Sequence, residues 1–230
     1  MRKIVVKIGS STIVTIDRKF NFKVAEVLAE DIVKLKKQEI EILLVSSGAI
    51  ALGRHGNCEL DKRLASSKGQ LRLMDGWRKV FAVHGIDACQ ILINNGCHVD
   101  FNSFRAPNMQ IVINGNDVFE STNNDLVASK VAKAASADLL VLLTGVDGYL
   151  DNHGNRIAAI DINTARLNDH STVSEFGTGG IETKIQAIKE AAILAVIANG
   201  EEHAIISRIL AGEDVGTLFK RGFDSTSKDS

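Results

Sequence analysis

A chain of 230 residues, 45% hydrophobic and 24% charged, has enough apolar material for one large core or two small ones. Its 27 basic and 28 acidic residues leave a net charge of −1, which excludes the basic field that holds nucleic acid through counterion release. One proline excludes a proline-rich linker, and three scattered cysteines without a Cys-x-x-Cys pair exclude a zinc knuckle or a disulfide scaffold.

Lys3 to Ile8 reads as a buried strand, rich in β-branched residues and stopped by Gly9-Ser10-Ser11. The apolar run is too short for a signal segment, because Lys7 interrupts it. An unpaired ammonium is costly to bury, so Lys7 at the end of such a strand calls for an anion. The alternative is a lysine snorkelling from an edge. Gly9 and the hydroxyls after it make a candidate phosphate cradle.

Phe22 to Lys37 is helical, with Val24, Val27, Leu28, Ile32 and Leu35 on one face. Glu39 to Val45 is a second strand, ending in Ser46-Ser47-Gly48-Ala49. Small and hydroxylated residues again follow a strand's carboxyl end, where ligands of open α/β sheets collect. Ile50 to His55 begins a helix, and Leu64 to His84 is a longer one, with Trp77 in the core. Ala88 to Ile93 is the third strand. Asn94 to Asn108 has no period and reads as a loop at the sheet's mouth; its His98 and Asp100 do not make a metal site.

Gln110 to Ile113 is a fourth short strand, followed by Asn114-Gly115-Asn116-Asp117. Asn123-Asn124-Asp125 caps a helix from Leu126 to Ala137, and a cap can also face a ligand. Leu139 to Leu143 is the most apolar strand and belongs at the centre of the sheet; Thr144 and Gly145 end it. Asp151 to Asn155 is a hairpin turn leading to a strand over Arg156 to Ile160. A polar loop, Asn163 to Phe176, follows.

Gly177-Thr178-Gly179-Gly180-Ile181-Glu182-Thr183-Lys184 then opens a helix carrying Ile185, Ile188, Ala192 and Val196. Bare backbone N–H groups and a helix N-terminus suit an anion, and Lys184 is placed to reach it. A plain glycine-rich turn with a solvated lysine explains these residues equally well. His203 to Ser207 reads as a last core strand and Val215 to Phe219 as a short closing one. From Phe223 onward a frayed tail is expected. One domain is therefore expected over residues 1–222, with a disordered tail over 223–230.

Taken together, Val-Lys-x-Gly-Ser at Val6 to Ser10, Ser-Gly-Ala-Ile-Ala at Ser47 to Ala51 and Gly-Thr-Gly-Gly-x-x-Thr-Lys at Gly177 to Lys184 resemble the amino-acid-kinase family. Gln90-Ile91-Leu92, Ile113-Asn114-x-Asn116-Asp117 and Gly216-Thr217-Leu218-Phe219 resemble its glutamate 5-kinase branch, without the C-terminal PUA domain that the branch often carries. The resemblance covers Lys3 to Phe219. It implies an open, mostly parallel sheet sandwiched between helices, the α/β fold of carbamate kinase. It implies ATP-dependent phosphorylation of the glutamate γ-carboxylate, the first step of proline synthesis, with Mg²⁺ carried by the ATP phosphates and no protein metal site.

The resemblance also assigns roles. Lys7 and Lys184 match lysines that hold the ATP phosphates and the transferring group, and Asp125 matches the aspartate that orients them. Gly9 and Ser10 match the first phosphate loop. Thr144, Gly145, Gly177, Thr178, Gly179, Gly180 and Thr183 fall in the nucleotide site. Ser47, Gly48, Ala49, Asp117 and Asn124 fall in the glutamate site. Lys184→Ala and Asp125→Ala are expected to abolish turnover and leave the fold intact. A cytoplasmic homodimer or homotetramer is expected, with no nucleic-acid or membrane partner.

The chain departs from the branch pattern in places. Gly115 stands for a usual glutamate, Asn123 for an aspartate and Gly145 for an aspartate. The segments 94–108 and 118–122 are short. Two other readings therefore stand beside glutamate phosphorylation: a kinase of the same fold for another small carboxylate, carbamate or phosphate, and a non-catalytic paralogue that binds a nucleotide or amino acid.

Overall fold

Lys3–Ile8 (β1) pairs in parallel with Glu41–Ser46 (β2) on one side and Leu139–Thr144 (β5) on the other. All of β1 is buried, as an apolar run covered on both faces must be. The computed structural model describes residues 2–94, 96, 99–101, 104, 108–163 and 180–220. The expected tail from Phe223, Gly177 to Gly179 and His98 lie outside the described residues.

After β1 come a short helix, Ser10–Ile13 (α1), and a long one, Phe22–Lys36 (α2). Beyond β2 lie Ala49–Gly53 (α3), Lys62–Ala82 (α4), Asp87–Ile93 (β3) and Met109–Gly115 (β4). Asn124–Ala134 (α5) precedes β5, and Ala159–Asp161 (β6) follows it. The chain closes with Ile181–Ala191 (α6), Leu194–Asn199 (β7), Ile205–Leu210 (α7) and Thr217–Lys220 (β8).

The strands form one sheet in the order β3-β4-β2-β1-β5-β7-β8-β6. Every pairing is parallel except β7 with β8. Alternation along the strands splits the core into two layers. Ile4, Val6 and Ile8 pack with α2, α4 and α7, where Trp77 donates its Nε1–H to Ser46 Oγ at 2.9 Å. Val5, Leu140 and Leu142 pack under α5 and α6. The sheet is thus sandwiched between helices with β5 central, as expected, and β1 lies beside it.

Two expectations fail near the C-terminus. The helix that begins at Ile181 does not run on to Val196: it stops at Ala191, and Ala192 turns left-handed at φ 59°. The core strand is β7, over Leu194 to Asn199, and His203 to Ser207 is a turn entering α7. Ile185, Ile188, Ala192 and Val196 keep helical spacing across the break, and a short apolar run fits either period. The strand expected over Arg156 to Ile160 is also shorter: Arg156 makes an isolated bridge with Leu150, and pairing begins at Ala159.

Candidate active site

The carboxyl ends of β1, β2, β4 and β5 open into one cavity of about 890 Å³. Its floor is an ionic cluster. Lys7 is the fifth residue of the buried strand β1 and points toward the α5–α6 layer. Asp125 sits in the first turn of α5, where the Asn123 side chain caps the helix by accepting the Asp125 N–H at 2.8 Å. Lys184 lies in the first turn of α6.

Asp125 Oδ1 stands 2.5 Å from Lys7 Nζ, and Oδ2 stands 3.3 Å from Lys184 Nζ. Thr183 Oγ1 donates to the same Oδ2 at 2.9 Å. Asp125, Lys7 and Lys184 are 1%, 5% and 7% exposed. Burial acts to raise the Asp125 carboxyl, but the Lys7 and Lys184 ammonium groups, with the Thr183 hydroxyl, hold it below the usual carboxylate range. Burial draws the Lys184 ammonium below the ordinary lysine range; Asp125 opposes that fall and Lys7 adds to it. One carboxylate therefore presents two ammonium groups to whatever enters the cavity.

One wall carries Gly9 and Ser10 from the end of β1, Thr144 and Gly145 from the end of β5, and Gly180 from the start of α6. Gly9 N–H donates to the Leu143 carbonyl at 3.2 Å, which ties the first loop to β5. The Thr183 hydroxyl turns toward Asp125 Oδ2 and the Gly180 carbonyl.

The opposite wall carries Ser47, Gly48 and Ala49 from the β2–α3 turn. Gly48 has φ 114°, where an added β-carbon would press on Val14 and Ile13 at 3.0 and 3.1 Å. Asp117 and Asn124 complete this wall. Asn124 Oδ1 accepts the Gly115 N–H at 2.9 Å, and its Nδ2 donates to Asn114 Oδ1 at 3.3 Å. Asp117 Oδ1 accepts the Thr122 N–H at 3.0 Å.

Sequence reasoning missed several lining residues: Arg18, Arg54, Lys62, Asn114 and Tyr149. Asn114 was within reach, because it opens the polar segment that ends β4. The cations carried no local signal. Among the described residues no group of three or more His, Cys, Asp or Glu side chains could hold a metal, and no helix is long and apolar enough to cross a membrane.

The sequence pattern of the amino acid kinase family matches residues 2–199. The chain is 30% identical over 256 residues to the glutamate 5-kinase of Lactiplantibacillus plantarum, a match covering 95% of this chain and 96% of that one. It is 32% identical over 253 residues to the glutamate 5-kinase of Clostridium acetobutylicum, covering 95% and 94%. Both matched stretches are longer than this chain, so the relatives carry residues inside them that this chain lacks. The crystal structure of the UMP kinase from Ureaplasma parvum superposes with a TM-score of 0.66 at 17% identity, over 96% of this chain and 100% of that one, and so shares the fold. With that pattern spanning the first loop, the β2–α3 turn and the Lys7–Asp125–Lys184 cluster, the chain belongs to the amino acid kinase family.

Proposed function

We propose that the chain transfers the γ-phosphoryl group of ATP to the γ-carboxylate of glutamate, giving glutamyl 5-phosphate and ADP at the first step of proline synthesis. The observation that carries this reading is Asp125 holding Lys7 and Lys184 on the floor between the two walls. Two relatives of near-full coverage named glutamate 5-kinase support it.

An acceptor carboxylate oxygen attacks the γ-phosphorus, and the bond to the bridging oxygen breaks with its electron pair leaving on ADP. The acceptor is already an anion, so no general base is required. The site has to align the two anions and neutralise the charge between them. Lys7 and Lys184 meet that need as preorganised charges, fixed by Asp125 before the substrates arrive. Gly9, Ser10, Thr144, Gly145 and Gly180 form the nucleotide wall, and the family motif assigns Gly177, Thr178 and Gly179 to the same role. Ser47, Gly48, Ala49, Asp117 and Asn124 form the acceptor wall. Mg²⁺ would be held by the phosphate oxygens, since both oxygens of Asp125 already face ammonium groups; when bound, it neutralises phosphate charge.

The reading includes a homodimer or homotetramer in the cytoplasm. Cys58 and Cys89 are free thiols, and Leu64 and Leu71 stand exposed on one side of α4.

The test incubates the protein with ATP, Mg²⁺, glutamate and hydroxylamine and measures the hydroxamate formed by trapping the acyl phosphate. Glutamate-dependent hydroxamate that disappears in Lys184→Ala is the expected result. ATP binding without product from glutamate would favour a different small acceptor, a reading kept open by the reshaped segment around Gly115. Absence of both would sink the kinase reading.

A further inference from the structure

The acceptor wall carries cations that the transfer chemistry does not use. Arg54 is the C-cap of α3, and Lys62 is the first residue of α4. Both line the cavity. Arg54 Nε donates to the Leu60 carbonyl at 3.1 Å, which folds the α3–α4 link back and brings the two cations to one rim. Lys62 Nζ donates to the Ser121 hydroxyl on the loop that follows β4. Arg18, from the turn between Val14 and Phe20, lines the same cavity, and that turn is tied to the turn after α3 by His55 Nδ1 and the Asp17 carbonyl at 2.9 Å.

Two of these cations, Arg54 and Lys62, are not balanced by an ion pair among the described residues. Lys7 and Lys184 both have Asp125. Arg54 and Lys62 have no ion-pair partner among the described residues; the contacts they make are to neutral oxygens. The nearby Asp17 is taken by Lys19 at 2.6 Å. Asp117 is the carboxylate on this wall, and one of its oxygens is occupied by Thr122. Half-buried cations without counter-charge on a cavity wall attract the anionic part of a ligand. An arginine fork suits a carboxylate in particular.

We infer that Arg54 and Lys62 are specificity-determining residues that hold the second carboxylate of the acceptor. The inference rests on the kinase reading of the cavity. The reacting carboxylate faces Lys7 and Lys184, the distal carboxylate faces Arg54 and Lys62, and Asp117 receives an amino group where the acceptor has one.

The test compares glutamate with glutarate, which lacks the amino group, and 4-aminobutyrate, which lacks the distal carboxylate. Hydroxamate kinetics are measured on the wild type, Arg54→Gln, Arg54→Lys and Lys62→Met. Since Arg54 also closes the α3–α4 link, Lys62→Met keeps the question answerable if Arg54→Gln misfolds. Expected are a glutamate KM raised about tenfold or more in Arg54→Gln and Lys62→Met, kcat and the ATP KM within about twofold, and partial recovery in Arg54→Lys. The wild type should prefer glutarate to 4-aminobutyrate, and the variants should lose that preference. Glutamyl hydroxamate from the wild type with unchanged glutamate KM in both variants overturns the inference and leaves the kinase reading standing. If no acceptor yields hydroxamate, the glutamate reading fails, and thermal melting decides the anion site alone. A glutarate shift in the wild type that is lost in both variants retains it, and equal shifts or none in all proteins overturn it.

Discussion

A β-carbon on Gly115 would overlap the hydroxyl of Thr122. Thr122 is fixed there by Asp117, whose Oδ1 accepts its N–H at 3.0 Å and its hydroxyl at 3.2 Å. The glycine that replaces the branch's glutamate and the short loop after it are therefore one feature. The loop closes over a position that has no room for a side chain, and in doing so it orients an acceptor-wall carboxylate. Gly115→Ala should lower stability by roughly 1–3 kcal/mol through overpacking and raise the acceptor KM about tenfold while sparing the ATP KM. Thr122→Gly added to Gly115→Ala should recover stability, which a double-mutant cycle by urea unfolding measures. Independent, additive losses would show that the two residues are not coupled.

Asp125 is buried between two buried ammonium groups. Asp125→Asn keeps the size and can still accept from Thr183, but it strands two buried ammonium groups. Removing one partner of a buried ion pair costs roughly 3–5 kcal/mol. Loss of preorganised charge costs about 10²–10³ in rate. The expected result is a large fall in both kcat and urea midpoint, which revises the expectation that Asp125→Ala leaves the fold intact. Lys184→Ala differs, because burial already disfavours that ammonium. It should lose turnover with a far smaller change in midpoint. Equal stability losses in the two variants would contradict this division.

Most of this site was legible because the fold puts ligands at strand ends, and β1, β2 and β5 end in small or hydroxylated residues that interrupt apolar runs. Lys7 declared itself by its cost: an ammonium at the end of a buried strand calls for an anion, while the family resemblance, not the spacing, assigned Asp125 to orient it. The region from Ala192 to Ser207 was not legible. Ala192 and Ala204 adopt φ of 59° and 51° with no glycine to mark either turn. Only Asn199-Gly200, repeating the polar ending of the other strands, pointed to β7. Arg54 and Lys62 look like solvated surface charges along the chain, and only the α3–α4 link places them on a cavity wall.

Because burial lowers the Lys184 ammonium, this group should set the alkaline limit of activity. Raising the pH through its folded-state value discharges it, so the rate should fall below the pH at which an ordinary lysine titrates. Stability moves the other way. In the window between the folded and unfolded values the unfolded chain binds more protons, so this group's contribution rises with pH. At acid pH the Asp125 carboxylate contributes stability that is complete above its unfolded value and is lost as the pH falls through its lowered folded one. A pH–rate profile beside pH-dependent unfolding separates the two trends. In Lys184→Arg the alkaline fall in rate should move to higher pH, because a guanidinium stays charged; an unmoved limb would assign it to another group.

Asp31 offers a purely structural contrast. It lies in α2, 4% exposed, on the side of the sheet away from the ionic cluster. Its Oδ2 accepts the N–H groups of Ile206 and Ser207 at 2.8 and 3.1 Å, and its Oδ1 accepts the Ser207 hydroxyl. These bonds satisfy the first turn of α7, which has no cap of its own because Ala204 makes no side-chain hydrogen bond there. A six-residue helix is too short to hold itself together, so α7 depends on a carboxylate supplied from another helix. Asp31→Ala leaves those donors buried and unmatched, each at about 1–3 kcal/mol. It should therefore lower the unfolding midpoint substantially while the protein that remains folded keeps its acceptor and ATP KM values, since Asp31 does not line the cavity. Asp31→Asn retains an acceptor oxygen and should recover part of the loss. A changed acceptor KM in a stably folded Asp31 variant would mean that α7 communicates with the site.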